Sequence, residues 1–265
     1  MDGLTEASVR SANLNERIIE RLRPAIEKSM QIQRKYAAKF KLNESILHAA
    51  TAGRPKFNEP LKTLAENGWF ISWWNTPVAW IYPLARLFES GQTERANRRL
   101  RNHFVEQTAS IESRLRKQFP RRVAVLRKAF AAHRSRDYEL AIPVFLIQAD
   151  GIARKIIGGD VYSRQPGKRQ KLKTFVESIS FDELQKDVIE LILLAMPLNA
   201  STGDSMLIKG VLARHEILHG TQTKYASATN SYRAISWLQY VAAFEQQKDL
   251  AERHRKRKKA ESSNR

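Results

Sequence analysis

Two histidines, His215 and His219, are the residues best placed to do chemistry, and they follow Arg214 directly in the segment RHEILHG. The pattern H-E-x-x-H on a helix puts two imidazoles on one face, where they can hold a catalytic zinc ion with the glutamate, here Glu216, as general base. The pattern R-x4-H instead pairs a permanent cation with an imidazole, which suits metal-independent cleavage of RNA. The same residues therefore admit two incompatible chemistries.

A catalytic zinc site needs a third protein ligand and an open coordination position. Tyr225 stands where a closely spaced third histidine would be, and the chain has no cysteine. Glu245 is a candidate carboxylate ligand, but the polar residues after it are typical of a solvated helix end. We therefore expect no metal and no other cofactor, and a zinc metallopeptidase ranks third among the functions considered.

Cleavage of RNA can use the 2′-OH group as an internal nucleophile. His219 could act as general acid or base because the ordinary pKa of histidine is near neutrality, and Arg214 could hold phosphate oxygens. On a helix the two side chains point about 140° apart, so they meet only if the helix unwinds near Gly220. The alternative is that His219 is simply a favourable cation at a helix C-terminus and Arg214 lies on a solvated face.

Positive charge dominates the chain, with a net charge of +19 over 265 residues. Residues 95–136 contribute +11 and residues 252–265 contribute +5. Such basic segments favour RNA as the partner, because neutralising phosphates drives sequence-independent binding; an anionic membrane surface and a merely solvated helix face are the alternatives. The arginines that we expect to contact RNA are Arg98, Arg99, Arg101, Arg121 and Arg122.

Helical periodicity runs through the chain and no β-hairpin pattern is present, so we predict an all-α protein. The predicted helices cover residues 13–40, 93–119, 120–133, 138–157, 181–195 and 204–219, and a last one begins at the cap 229–231. Gly158 and Gly220 are predicted helix stops. Trp69, Trp73, Trp74 and Trp80 lie close together in sequence and are typical of a packed core corner, with base stacking as the alternative.

Arg214, His215 and His219, followed by Gly220 and a last helix, resemble the motif of the HEPN superfamily (higher eukaryotes and prokaryotes nucleotide-binding). The segment from Tyr138 through Gly151 also looks like an early helix of such bacterial domains. The resemblance covers roughly residues 137–250 and implies a helical bundle. It further implies a metal-independent endoribonuclease, commonly a homodimer and often a toxin or defence effector. Many HEPN domains are non-catalytic, so an RNA-binding or protein-interaction module is the main alternative.

Four further polar residues are candidates for supporting roles at this site. Gln148 falls on the apolar stripe of its helix and Asp150 lies off it, while capping or packing suits Tyr225 and Asn230.

The expected organisation is a basic helical region over residues 1–134, a HEPN-like bundle over 135–251, and a disordered basic tail over 252–265. The basic region is either separate from the bundle or packed alongside it. Met1 leads into charged residues and no apolar stretch could span a bilayer, so we expect a cytoplasmic protein with no membrane partner. RNA, a second copy of the chain and an antitoxin protein are the candidate partners.

Overall fold

A computed structural model describes residues 57–72, 76–159, 161–162, 165–179, 183–194, 196–198 and 211–263. Every regular element in these ranges is a helix, which confirms the predicted all-α fold. None of the helices described is long and apolar enough to cross a membrane. The predicted helix over residues 13–40 and the tryptophans Trp73 and Trp74 lie outside the described ranges.

The chain forms nine α-helices in the described ranges, with three short 3-10 turns between them. The α-helices are α1 Asn58–Glu66, α2 Ile81–Glu89, α3 Thr93–Gln118, α4 Val123–Arg134, α5 Tyr138–Ile157, α6 Pro166–Ile179, α7 Glu183–Glu190, α8 Arg214–Leu218 and α9 Ala228–Ser263. The 3-10 turns are Val78–Trp80, Pro120–Arg122 and Leu191–Leu193.

Local capping explains why α5 begins and ends where predicted. The carboxylate of Asp137 accepts a hydrogen bond from the backbone N–H of Leu140, 3.4 Å away, at the start of the helix. Gly158 ends the helix in the left-handed conformation with φ 73°, and its N–H donates to the carbonyl of Arg154. Both ends depend on residues next to them in sequence, and so the sequence could predict them.

Helix α9 is the centre of the core, and its middle is buried on every side. Ile235, Leu238 and Val241 are fully buried as predicted, but so are Trp237 and Phe244 on other faces. The helix packs most extensively on α5 and also on α3 and α6. A stripe pattern predicts one buried face, whereas α9 is surrounded by its neighbours.

The two described tryptophans of the predicted cluster are core residues. Trp69 is fully buried and donates a hydrogen bond from its indole N–H to Asn97, 2.9 Å away. Trp80 is also buried, and its ring meets that of His103 edge-on. Their burial agrees with the packed-corner interpretation rather than with base stacking.

The described residues from 57 onward form one compact unit, and position 135 lies inside it. Helix α4 packs on α5, and α3 packs on α9, so the basic helices lie alongside the later ones. This packing concerns residues 57–134 of the predicted basic region, and the predicted division near residue 135 stays a prediction.

The structure differs from the predicted disordered tail, because α9 continues through Ser263. Residues 252–263 are rich in lysine, arginine, glutamate and alanine, which are good helix formers. Extending an existing helix costs far less than nucleating one, so the anchored part of α9 carries the helix outward.

His133 is a buried histidine at the end of α4, with its Nδ1 atom 2.7 Å from the hydroxyl of Ser231 on α9. Burial, aided by the nearby charge of Arg134, lowers the pKa of His133 from 6.5 to about 4. Between pH 6.5 and pH 4 the unfolded chain binds the proton and the folded one does not. Stability should therefore be lost as pH falls through this window.

We expect His133 to account for a loss of about 1–2 kcal/mol in the free energy of unfolding between pH 7 and pH 4, since water at the nearby surface screens the effect. Urea unfolding of the parent and of His133→Gln over this pH range measures it. The difference in the free energy of unfolding between the parent and His133→Gln should become smaller as pH falls. A gap that stays constant would show that His133 is not held neutral.

Candidate functional site

The predicted catalytic residues lie on α8 and directly after it, and α8 has only five residues. Arg214 is its first residue, after Ala213 in an extended conformation with φ −98° and ψ 98°. His219 follows its end, and Gly220 then reverses the chain with φ 77°. The prediction of one helix over residues 204–219 is therefore wrong at residues 211–213, which are not helical, while residues 204–210 lie outside the described ranges. The stop at Gly220 is confirmed.

Arg214 is held by a carboxylate from α5. Its Nε donates to Oδ1 of Asp150, 2.8 Å away, and its Nη2 donates to Oδ2 of the same carboxylate. The two side chains are 12% and 15% exposed. A two-point bond of this kind fixes the plane of the guanidinium group as well as its position. Asp150, predicted only as a supporting residue, is thus in direct contact with Arg214.

Tyr162 completes the surroundings of this ion pair. The guanidinium carbon of Arg214 lies 3.6 Å from the centre of the Tyr162 ring, and the hydroxyl of Tyr162 donates to Oδ1 of Asp150. Burial lowers the pKa of Arg214 to about 10, so the group keeps its charge at neutral pH. The site therefore contains a fixed, partly desolvated cation.

The two histidines form a pair of their own. Their ring centres are 4.3 Å apart with the planes tilted by 48°. His219 is exposed and His215 is half-buried, while the carboxylate of Glu216 accepts a hydrogen bond from the hydroxyl of Thr221. One imidazole can therefore reach a solvent-borne substrate with a second imidazole beside it.

Gln222 closes the loop that carries this short helix, and sequence reasoning missed it. Its side-chain oxygen accepts from the N–H of Ala213, 3.0 Å away, and its amide nitrogen donates to the carbonyl of Val211, 3.3 Å away. These two bonds join the segments before and after α8. A helix of five residues has little stability of its own, so this side chain helps to keep it in place.

Tyr225 and Asn230 hold the elbow between α8 and α9. The hydroxyl of Tyr225 donates to the carbonyl of Glu139, 3.0 Å away, and the amide of Asn230 donates to the carbonyl of Tyr225, 2.8 Å away. The cap of α9 is Ser227, whose hydroxyl accepts from the N–H of Asn230, rather than the predicted residues 229–231. These contacts agree with packing and capping roles for both residues.

Gln148 lies elsewhere on α5, two residues from Asp150 and so on nearly the opposite side of the helix. Its oxygen accepts from Nη1 of Arg122, 2.7 Å away. Gly151 leaves room for this contact, since a Cβ atom there would lie 2.7 Å from the guanidinium of Arg122. The structure thus does not bring Gln148 to Arg214.

The five predicted RNA-binding arginines differ in their exposure and in the hydrogen bonds that they already make. Arg98 and Arg121 are exposed, whereas Arg99 is half-buried and its pKa is lowered by burial and by Arg95. Arg101 donates to the hydroxyl of Thr229, 3.3 Å away, and Arg122 is engaged with Gln148.

Within the described ranges, no group of three or more His, Asp or Glu side chains could hold a metal ion. Glu245, the candidate third ligand, bonds to Lys155 at 2.9 Å. The residues described around His215 and His219 do not supply the donor set that a zinc site requires.

No protein-family model, curated protein or solved structure matches the chain.

The contacts of Asp150 and Tyr162 with Arg214 form only when the chain folds, since Asp150 and Arg214 are 64 residues apart in sequence. The only pointer to them in the sequence was the position of Asp150 off the apolar stripe of its helix.

Proposed function

We propose that the protein is a metal-independent endoribonuclease with its active site at α8. One observation supports this most directly: Arg214 is fixed by Asp150 at one end of a short helix whose other end carries the exposed His219. Phosphodiester cleavage uses a cation and a titratable group, and this one short segment carries both. The resemblance to HEPN domains and the net charge of +19 point the same way.

In the proposed reaction the 2′-oxygen of RNA attacks the adjacent phosphorus and the 5′-oxygen leaves. The proton of the 2′-OH goes to a base and the 5′-oxygen takes a proton from an acid, so the products are a cyclic phosphate and a free 5′-OH. His219 carries one of these transfers and His215 orients or assists it. Arg214 stabilises the charge that develops on the phosphorane.

Arg214 keeps donors for this task even though it is paired. A guanidinium group has five N–H donors, and the bonds to Asp150 use one on Nε and one on Nη2. The two donors on Nη1 and the second donor on Nη2 are not used by Asp150. Asp150 acts in this proposal as a positioning residue that fixes the plane of the guanidinium group.

One Arg-His pair supplies only part of the chemistry, and a two-fold dimer would join two pairs in one site. We propose RNA as the substrate and a homodimer as the active form, in the cytoplasm. A toxin or defence effector with a cognate antitoxin is the corresponding biological role.

A non-catalytic RNA-binding or interaction module is the second candidate, and the ion pair itself favours it. Arg214 spends two donors on Asp150 and stacks on Tyr162, which is also how a purely structural arginine is held. In this case the protein binds RNA and does not cut it.

The test is to incubate the purified protein with labelled single-stranded RNA in excess chelator. We expect cleavage to persist and to leave 2′,3′-cyclic phosphate ends. We also expect Glu216→Gln to cleave at close to the parent rate, because the proposed reaction gives this carboxylate no role.

Loss of cleavage in chelator, together with inactivity of Glu216→Gln, would replace the proposal with a zinc hydrolase, in which that glutamate is the general base. Retained RNA binding without cleavage would favour the second candidate. The matched control is Glu190→Gln on α7, which removes one carboxylate outside α8.

A further inference from the structure

A concave region lies at the other end of α5 from Asp150. It is a cleft of about 710 Å³ between α3, the end of α4 and the starts of α5 and α9. Tyr138 lines it and is twelve residues from Asp150, or about 18 Å along the helix axis. The cleft is therefore separate from the Arg-His site but belongs to the same compact unit.

Three arginines line the cleft. Arg101 is bonded to Thr229, and Arg134 forms an ion pair with Glu112 at 2.6 Å. For Arg136 the structure gives no hydrogen bond or ion pair of the side chain within the described ranges, and its side chain is exposed. Glu112 does not line the cleft, so the charged side chains facing its interior are cationic.

The backbone at Arg136 supports a role for its side chain. Arg136 has φ 63°, and among the described residues it alone combines positive φ with a side chain. It ends α4 with its N–H bonded to the carbonyl of His133 at 3.1 Å. Gly91 and Gly158 adopt the same conformation after α2 and α5. Positive φ strains the backbone of an arginine but not that of a glycine. The sequence therefore has a cation at this helix end in spite of the backbone strain.

Beside Thr108 and the buried His133, the remaining lining residues are aromatic and apolar. Tyr138 and Tyr232 present rings, and Val105 is 53% exposed at the same place. A site for a simple anion needs only the cations. Rings and an apolar wall beside guanidinium groups are what a nucleotide with an unstacked base requires, because the base stacks and the phosphate pairs.

We propose that this cleft binds one or two nucleotides of single-stranded RNA, with phosphates on Arg136 and Arg101 and a base against Tyr138. This inference rests on the proposed function and specifies its substrate: strands with unpaired bases are held, and duplexes are not. A duplex presents phosphates to the arginines but no free base face to the rings.

The test measures binding in the His219→Ala background, so that RNA stays intact, by fluorescence anisotropy with a labelled single strand and a matched duplex. We expect the single strand to bind about ten-fold more tightly. Arg136→Gly should weaken single-strand binding about five- to ten-fold and should raise the Tm, since glycine relieves the backbone strain. Folding failure therefore cannot explain the loss.

Two comparisons distinguish binding in the cleft from attraction of RNA to the positive charge of the protein as a whole. Arg127→Gln removes an exposed arginine of α4 that does not line the cleft and should change affinity less than two-fold. Tyr138→Phe should keep the affinity, and Tyr138→Leu should lower it at least five-fold, because stacking on a ring is lost.

Equal affinity for duplex and single strand, or equal effects of Arg127→Gln and Arg136→Gly, would overturn the proposal. Competition by an acidic peptide as strong as by RNA would also overturn it, since the cleft would then recognise charge alone. If RNA binding depends on Arg136 but the protein cleaves no RNA, the proposed nucleotide cleft is supported and the proposed catalytic function is contradicted. If the protein cleaves RNA and Arg136→Gly has no effect on binding, the catalytic function is supported and the nucleotide cleft is contradicted.

Discussion

His219→Ala should reduce the rate of RNA cleavage by about 10²–10⁴-fold, the usual effect of removing a general acid or base. The side chain is exposed at the end of α8, so its loss creates no cavity in the core. We therefore expect the Tm to stay within about 2 °C of the parent value, since surface substitutions change stability little. Cleavage assays and thermal unfolding on the same preparation measure both effects.

The matched control for this variant is His254→Ala. It removes an exposed imidazole from the same chain, on the basic end of α9 rather than at α8. Cleavage should persist in this control. If His219→Ala still cuts RNA at a rate close to that of the parent, His219 is not the proton-transfer group and the active site lies elsewhere.

Asp150→Ala should have the largest effect on stability, a loss of about 2–4 kcal/mol in the free energy of unfolding. It leaves the charge of Arg214 in a partly buried position without its carboxylate, and unpaired buried charges are costly. Because both side chains keep some exposure, the loss should fall at the lower end of the range for fully buried pairs. Urea unfolding measures it, and cleavage should fall in the same variant as Arg214 loses its orientation.

A double substitution separates the two consequences. Asp150→Leu combined with Arg214→Met replaces the ion pair with apolar side chains of similar size and should recover most of the lost stability. It should not recover cleavage, because the cation is gone. Recovery of both would show that Arg214 has no part in the reaction, and an unchanged stability in Asp150→Ala would show that the pair contributes nothing to the fold.

Sequence alone predicts those parts of the fold that depend on neighbouring residues. The bounds of α3 and α5 follow from periodicity, from the cap at Asp137 and from Gly158. The burial of α9 on all sides could not be predicted in this way, because Trp237 and Tyr240 are covered by helices far away in the chain. An amphipathic pattern identifies the one face of a helix that is buried, and a central helix such as α9 is buried on all faces.

The same distinction between local and long-range contacts applies to the candidate site. The motif of Arg214, His215 and His219 is a local pattern and can be found by inspection. Its geometry is not local, since the residue that holds Arg214 is on α5 and the ring that covers it is Tyr162. The predicted helix over residues 204–219 had put Arg214 and His219 within one continuous helix, whereas α8 begins only at Arg214.

The position of α9 in chain order has a consequence for synthesis. The core residues of α3, α5 and α6 all pack on a helix that the ribosome makes after them. Until α9 emerges, these helices have no partner for their largest apolar surfaces, and the nascent chain cannot complete its core. The elbow that carries Tyr225 is anchored to the start of α9 through Asn230. The contact that holds this elbow therefore forms only after the start of α9 has been synthesised.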